Sequence, residues 1–246
     1  MEQLQRSLKS MRLGGMAEML PVRVHEARAQ EIDYDEFIRR LIDDEFGRRK
    51  NNLIGRRVKA ARFPEIRTIE NFDFAFNTTI SKKTILSLMS TSFLTTSQNV
   101  LFVGPPGVGK THLALAIGYA TVCNGYSVFY RSSFDLVADM AEAARSGGRK
   151  DLVRKLVGYD LLIIDEFGMK SMPPNAADDL LEIVHRRHQN ASTIITTNRP
   201  VSDWGVLLGD VPATSAILDR FLENAELISI KGKSYRLSKN KAAHAE

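Results

Sequence analysis

A chain of 246 residues, 43% hydrophobic and 26% charged, can bury the core of one α/β domain, alone or with a smaller attachment. Its single cysteine, Cys123, lies in an apolar stretch, which excludes an internal disulfide or a Cys-rich metal site and suits a reducing cytoplasm. The opening "MEQLQRSLKSMRLGG" has no secretory apolar core and the apolar run Leu113–Cys123 is too short to span a bilayer, so a soluble protein with no membrane partner is expected.

In chain order, residues 1–68 are expected to form a helical N-terminal domain. Leu4, Leu8 and Met11 sit at helical spacing, and Gly14-Gly15 is expected to break that segment. A second helix is predicted over Met16–Ala29. Asp33 then opens a third with Glu36 three residues on, a capping-box pattern. Phe37, Ile38, Leu41, Ile42 and Phe46 mark one apolar face, which Leu53, Ile54 and Val58 extend. The stretch 48–62 holds seven cations (Arg48, Arg49, Lys50, Arg56, Arg57, Lys59 and Arg62) and no acid. Subtracting seven from the net charge of +5 leaves −2 for the rest of the chain. Such a cluster on a near-neutral body is either a polyanion surface or a solvated helix face. Pro64 closes the region, since it cannot continue a helix.

From 69 to 246 strands and helices alternate. Strands are predicted at 99–103, 127–131, 160–164, 192–197 and 226–230, and helices at 111–123, 134–145, 149–157, 175–190 and 214–224. Apolar strands alternating with helices give a five-stranded parallel sheet covered on both faces. Between the first strand and its helix lies "GPPGVGKT", which carries Gly104, Gly109, Lys110 and Thr111 at the fixed positions of a phosphate loop. The loop and the residue after it (Gly104, Pro105, Pro106, Gly107, Val108, Gly109, Lys110, Thr111, His112) are the expected nucleotide contacts. Glycines let successive N–H groups turn toward an anion, Lys110 reaches the β- and γ-phosphates, and Thr111 ligates Mg2+. A plain turn has no use for the Lys-Thr pair.

"LLIIDEFG" places Asp165 and Glu166 at the end of an apolar strand, where ligands of such sheets bind. Asp165 is expected in the magnesium shell, and Glu166 is expected to take a proton from an attacking water. That pair favours ATP hydrolysis over transfer to a substrate hydroxyl. Asn198, ending "IITTN", either orients the water or makes a bend with Arg199-Pro200. Arg220 has no evident role within one subunit. It is either an arginine finger for a neighbouring subunit or half of a surface pair with Asp219.

The order GPPGVGKT, LLIIDE, IITTN, LDRF resembles the AAA+ ATPases of the initiator and helicase-loader group. More narrowly, "FIRRLIDDEFGRRKNN", "RRVKAARFPEIRTIENFDF" and "IKGKSYRL" resemble the IstB family over nearly the full length. The resemblance implies an AAA+ P-loop domain with ATP and Mg2+ as cofactors. Asp165 and Glu166 become its Walker B pair, Asn198 its sensor 1, Arg220 its trans finger, and Phe72–Phe76 neighbours of the adenine. It also implies a homo-oligomer with ATP sites at subunit interfaces, binding double-stranded DNA with little sequence preference and delivering it to the transposase encoded beside it. About 20 residues follow the last strand, too few for a helical lid, so none is expected and Arg236 is left outside the site. Two alternatives share the ATPase region: a DnaC-type helicase loader, and a DNA scaffold that binds ATP with little turnover.

Overall fold

Asp33 starts a long helix by accepting the Glu36 N–H on Oδ1 at 2.8 Å, the side-chain cap its sequence implies. That helix, α3 (Tyr34–Ala61), follows α1 (Glu2–Ser10) and α2 (Gly14–Gln30). The structure, a computed structural model, describes residues 1–169 and 176–238. The chain divides into two compact units, Met1–Arg57 and Val58–Glu246. The division falls inside α3, which runs on to Ala61 ahead of Pro64.

In the first unit Leu8, Ala17, Leu20 and Leu41 form a small core, with Phe37 packed against it. The five-residue apolar face expected on α3 is split: Leu41 is buried, whereas Ile38, Ile42 and Phe46 are exposed. Gly14-Gly15 does not break a helix but begins α2. A Cβ on Gly15 would stand 2.7 Å from the Asp44 carbonyl, so glycine is what allows the close approach to α3. The Gly15 N–H then donates to Glu45 Oε2 at 2.6 Å.

The second unit carries β1 (Asn99–Val103), α6 (Lys110–Cys123), β2 (Val128–Ser132), α7 (Ser133–Ser146), α8 (Arg149–Val157), β3 (Leu161–Phe167), α9 (Ala176–Arg187), β4 (Ser192–Thr197), α11 (Val211–Leu222) and β5 (Ala225–Ser229). Three further helices were not read from the sequence: α4 (Lys82–Met89), α5 (Ser92–Thr95) and α10 (Trp204–Leu208). Capping places two starts: Ser81 accepts from the Thr84 N–H ahead of α4, and Asp210 from the Ala213 N–H ahead of α11. All five strands pair in parallel, in the order β2-β3-β4-β1-β5. The C-terminal ends of β1, β4 and β3 therefore lie side by side. A core of Leu101, Phe129, Leu162, Ile164, Ile195, Ile217 and Phe221 holds the sheet to its helices. The expected absence of a lid concerns, in part, residues 239–246, which lie outside the described residues. No described helix is long and apolar enough to cross a membrane.

Arg187, at the end of α9, is 1% exposed. Its guanidinium donates to Thr193 Oγ1 (3.0 Å) and to the carbonyls of Leu156 (2.8 Å), Val157 (3.3 Å), Tyr159 (2.8 Å) and Ser192 (2.5 Å). It thus ties the end of α8 and the segment before β3 to the start of β4. Burial pushes this arginine down to about 10, still charged at neutral pH. Arg187→Met removes the donors and leaves those carbonyls buried and unpaired. The expected loss in unfolding free energy is about 3 kcal/mol or more, read as a lower urea midpoint.

Candidate active site

The first strand-to-helix turn is built to curl. Gly107 and Gly109 hold φ of +80° and +102°, and Gly109 caps α6. Neighbouring chain closes on every glycine of the loop. A Cβ would stand 2.2 Å from the Ile230 carbonyl at Gly104, 2.1 Å from Ser234 Oγ at Gly107 and 2.5 Å from the Phe72 ring at Gly109. The strand order explains two of these contacts. Because β5 lies beside β1, the segment after β5 crosses the loop, and the Tyr235 N–H donates to the Gly107 carbonyl at 3.0 Å.

Lys110 is 6% exposed, and its Nζ donates to the carbonyls of Gly104 (2.7 Å) and Pro105 (2.8 Å). Burial lowers its pKa to about 8; Asp165 opposes that shift and Arg236 adds to it. A dehydrated ammonium with a second cation nearby is a site that gains from a polyanion.

Asp165, 2% exposed near the end of β3, is gripped by three hydroxyls. Thr111 donates to Oδ1 at 2.9 Å, Thr196 also donates to Oδ1, and Tyr130 donates to Oδ2 at 2.8 Å. Burial, reinforced by Asp165, raises the Tyr130 pKa so far that its proton stays in place. Tyr130 was not read from the sequence, because a tyrosine on a buried strand has no local signature for this task.

Next to it, Glu166 is exposed and adopts φ +58°. The β3–β4 register slips between Ile164 and Phe167, and that irregularity turns two successive acids in different directions. The Glu166 N–H donates to Thr196 Oγ1 at 3.1 Å, and its carbonyl accepts from Ser133 Oγ at 3.0 Å.

These elements surround a cavity of about 750 Å³, within the range that holds a nucleotide-sized ligand. Pro106, Gly107, Val108, Gly109, Lys110, Thr111 and His112 line it, together with Glu166 and Asn198. Gly104 and Pro105 serve instead as acceptors for Lys110, and Asp165 lies behind the lining. Asn198 follows the end of β4, half-buried, with no side-chain partner among the described residues. Phe72 and Phe76 reach the cavity, whereas Phe74 packs edge-on against Phe72 at 4.8 Å. Arg236, which the sequence reading set aside, is on the lining. The signal for it is the β1–β5 pairing, which carries residues 230–236 over the loop.

Arg220 is not on the cavity. Its Nε donates to His185 Nδ1 at 3.0 Å, and it makes no ion pair with Asp219. Of the basic run, Arg48, Arg49, Lys50, Arg56, Lys59 and Arg62 are exposed and Arg57 is partly so. Arg49 is held by Glu45 at 2.7 Å, and the Arg62 guanidinium carbon lies 5.6 Å from the centre of the Phe129 ring.

The residues fit a nucleoside triphosphate with Mg2+. The glycine cradle leaves no room for side chains, and one buried hydroxyl–carboxylate pair, Thr111–Asp165, stands beside it. The described residues contain no metal cluster of three or more Asp, Glu, His or Cys.

The family of IstB-like ATP binding proteins matches residues 6–243. A protein of insertion sequence IS5376 from Geobacillus stearothermophilus, described as ATP-binding, is 35% identical over 90% of this chain and 88% of its own length. The corresponding protein of IS21 from Pseudomonas aeruginosa is 36% identical over 89% and 83%. Among solved structures, the DnaC helicase loader superposes with a TM-score of 0.53 and 27% identity, over 61% of this chain and 87% of that one. A DnaA from Aquifex aeolicus bound to AMPPCP shares the AAA+ fold at 21% identity and a TM-score of 0.56, over 72% of this chain and 55% of that one.

Lys110 gives the site a pH signature. Above about 8 the lysine of the free protein is neutral, and phosphate binding must return its proton. The sign follows: affinity for ATP is full below that pH and falls by about tenfold per unit above it. Calorimetry in buffers of different ionisation enthalpy, at roughly pH 9, should register uptake of about one proton per ATP bound. Binding with no proton uptake there would show that Lys110 is already charged in the free protein or stays neutral beside the phosphates.

Proposed function

The chain belongs to the family of IstB-like ATP-binding proteins, and on that premise we propose that it is a DNA-stimulated ATPase that assembles on duplex DNA and assists an insertion-sequence transposase. One observation carries this: Lys110, the Thr111–Asp165 pair, Glu166 and Asn198 converge from the ends of three adjacent strands on one cavity. In this role Lys110 leaves its loop carbonyls for the β- and γ-phosphates. Thr111 and Asp165 hold Mg2+, which when bound neutralises charge on those phosphates. Glu166, exposed on the cavity side of the bulge, accepts the proton of the attacking water, and Asn198 orients that water. Arg220 acts on the cavity of a neighbouring copy, stabilising transition-state charge in trans. The exposed cations of α3 contact DNA phosphates, which position a protein without reading sequence.

The likeness to the DnaC loader supports the ATPase unit. It covers 61% of this chain, whereas the two insertion-sequence proteins match over 90% and 89%. The transposition role is therefore preferred to helicase loading.

Hydrolysis assays with and without duplex DNA test the chemistry. Lys110→Ala should lose ATP binding. Glu166→Gln should bind ATP but turn over roughly 10²–10⁴-fold more slowly, since an amide cannot take the proton. Mixing Lys110→Ala with Arg220→Ala chains should restore part of the activity that each lacks. Parent-like turnover by Glu166→Gln refutes the base assignment, and mixed assemblies without rescue refute the trans finger.

DNA affinity is tested by salt. Arg56→Ala/Lys59→Ala, measured with a non-hydrolysable ATP analogue, should flatten the log–log salt dependence by about two units, near one per lost phosphate contact. Unchanged slope and affinity would move the DNA surface off this helix.

A further inference from the structure

Three hydroxyls surround Asp165, and they divide unequally between its two oxygens. Thr111 and Thr196 both donate to Oδ1, Thr111 at 2.9 Å. Among the described residues Oδ2 has one donor, the Tyr130 hydroxyl at 2.8 Å. Each hydroxyl carries a single proton, and the bonds respect that count. Thr111 and Tyr130 spend theirs on Asp165 alone, and Thr196 gives its proton to Asp165 while accepting the Glu166 N–H.

The register explains why a long donor stands at position 130. β2 and β3 pair in parallel with Ser132 opposite Asp165 and Tyr130 opposite Ile163, so residues 130 and 132 share the sheet face of Asp165. Ser132 is the direct neighbour, but it caps α7, its Oγ accepting the Asp135 N–H at 3.1 Å. Tyr130 stands two residues back, and its ring is long enough to bridge the roughly 6.6 Å that two strand residues cover. Both partners are buried, Tyr130 at 9% exposure and Asp165 at 2%. A carboxylate oxygen that loses its donor in such a place is costly to leave unpaired.

The cavity separates the two oxygens further. The donors on Oδ1, Thr111 and Thr196, belong to residues that line it, whereas Tyr130 does not. The phenol therefore meets neither nucleotide nor metal, and whatever it does for the site passes through Asp165. We propose that Tyr130 is a positioning residue for the metal: by holding Oδ2 it keeps the Asp165 carboxylate turned with Oδ1 toward Thr111, the arrangement that receives Mg2+. The inference rests on the assignment of Thr111 and Asp165 to Mg2+ and adds the group that orients the second of them. Without the phenol, the carboxylate lowers the cost of an unpaired Oδ2 by turning to share the two threonine hydroxyls between its oxygens. That turn takes Oδ1 out of its place beside Thr111. Groups that hold a ligating carboxylate from behind are worth about 10–100-fold in metal affinity.

The test uses the full chain and reads binding alone, by calorimetry with a non-hydrolysable ATP analogue in EDTA and over a Mg2+ series. The parent should bind the analogue more tightly as Mg2+ rises. Tyr130→Phe removes one oxygen and keeps the ring. It should match the parent in EDTA and need about tenfold or more Mg2+ to reach the parent's tightening. In an Asp165→Asn background, adding Tyr130→Phe should change the Mg2+ dependence no further, because its one route to the metal is gone. A second measurement leaves position 130 intact. Carbon-13 at the hydroxyl-bearing ring carbon of tyrosine reports the phenol's hydrogen bond by NMR. In a Tyr235→Phe chain, which removes the tyrosine that lines the cavity, one remaining tyrosine signal should move when Mg2+ joins the bound analogue.

Equal Mg2+ dependence in Tyr130→Phe and the parent overturns the proposal, whatever the variant's melting temperature, and leaves the phenol a role in the fold alone. A loss as large in EDTA as in Mg2+, or a further loss in the Asp165→Asn background, overturns it too. Should Tyr130→Phe fail to fold, the NMR series decides: tyrosine signals that all ignore Mg2+ refute the link between phenol and metal. A parent whose binding ignores Mg2+, or an Asp165→Asn chain with the parent's full Mg2+ dependence, removes Asp165 from the metal shell, and the inference with it.

Discussion

One buried carboxylate organises the ATPase unit. Asp165 has both oxygens engaged by hydroxyls from three other elements: Thr111 from the start of α6, Tyr130 from β2 and Thr196 from β4. A carboxylate removed from water at the edge of a sheet is tolerable only if donors replace its hydration. Here the donors are neutral hydroxyls, so the charge is solvated without being neutralised. A guanidinium in their place would cancel it. Hydroxyls leave an anion able to face a cation, next to two of the residues that also border the cavity, Thr111 and Thr196. The registers of β2, β3 and β4 and the start of α6 must all be right for this node to close, so fold and chemistry share one constraint.

The same node shapes its neighbour. Thr196 uses its hydroxyl twice, donating to Asp165 and accepting the Glu166 N–H. That second bond forms where the β3–β4 register slips, and it holds Glu166 at a positive φ. A left-handed conformation costs a non-glycine residue about 1–2 kcal/mol, and it persists only where surrounding bonds over-determine it. They do here: the N–H is tied to β4 and the carbonyl to Ser133 at the start of α7. The strained segment leaves two adjacent acids in different settings, Asp165 buried and Glu166 exposed.

How much was legible in the sequence follows from how local each signal is. The phosphate loop, the five strands and the Asp33 cap were readable because their determinants lie within a few residues of each other. The strand order was not, and what depended on it was missed. Arg236 reaches the cavity only because β5 pairs with β1, and Tyr130 reaches Asp165 only because β2 pairs with β3. The Gly14-Gly15 pair misled for a related reason. Glycine weakens a helix locally, but here the missing Cβ serves a contact with residues 44–45, thirty positions away in sequence.

The cavity's charges bear on the trans role proposed for Arg220. Three cations line it: Lys110, Arg236 and Arg67. Arg67 is paired with Glu65 at 2.7 Å, and Arg236 disfavours the charge on Lys110 until an anion lies between them. Those two serve the bound ground state, because the charge they answer is present as soon as a polyphosphate enters. Faster hydrolysis calls for a cation whose interaction grows as charge develops on the transferred group, and none of the three is free for that. Arg220 is differently placed. Its hydrogen-bond partners among the described residues are the His185 ring and the Ala216 carbonyl, not a carboxylate, so moving it onto another chain's phosphate breaks no ion pair. A guanidinium held by neutral bonds, away from its own cavity, can be supplied at low cost when subunits meet and is withheld when they do not. In the role proposed for Arg220, coupling of turnover to assembly would follow from where this one arginine stands.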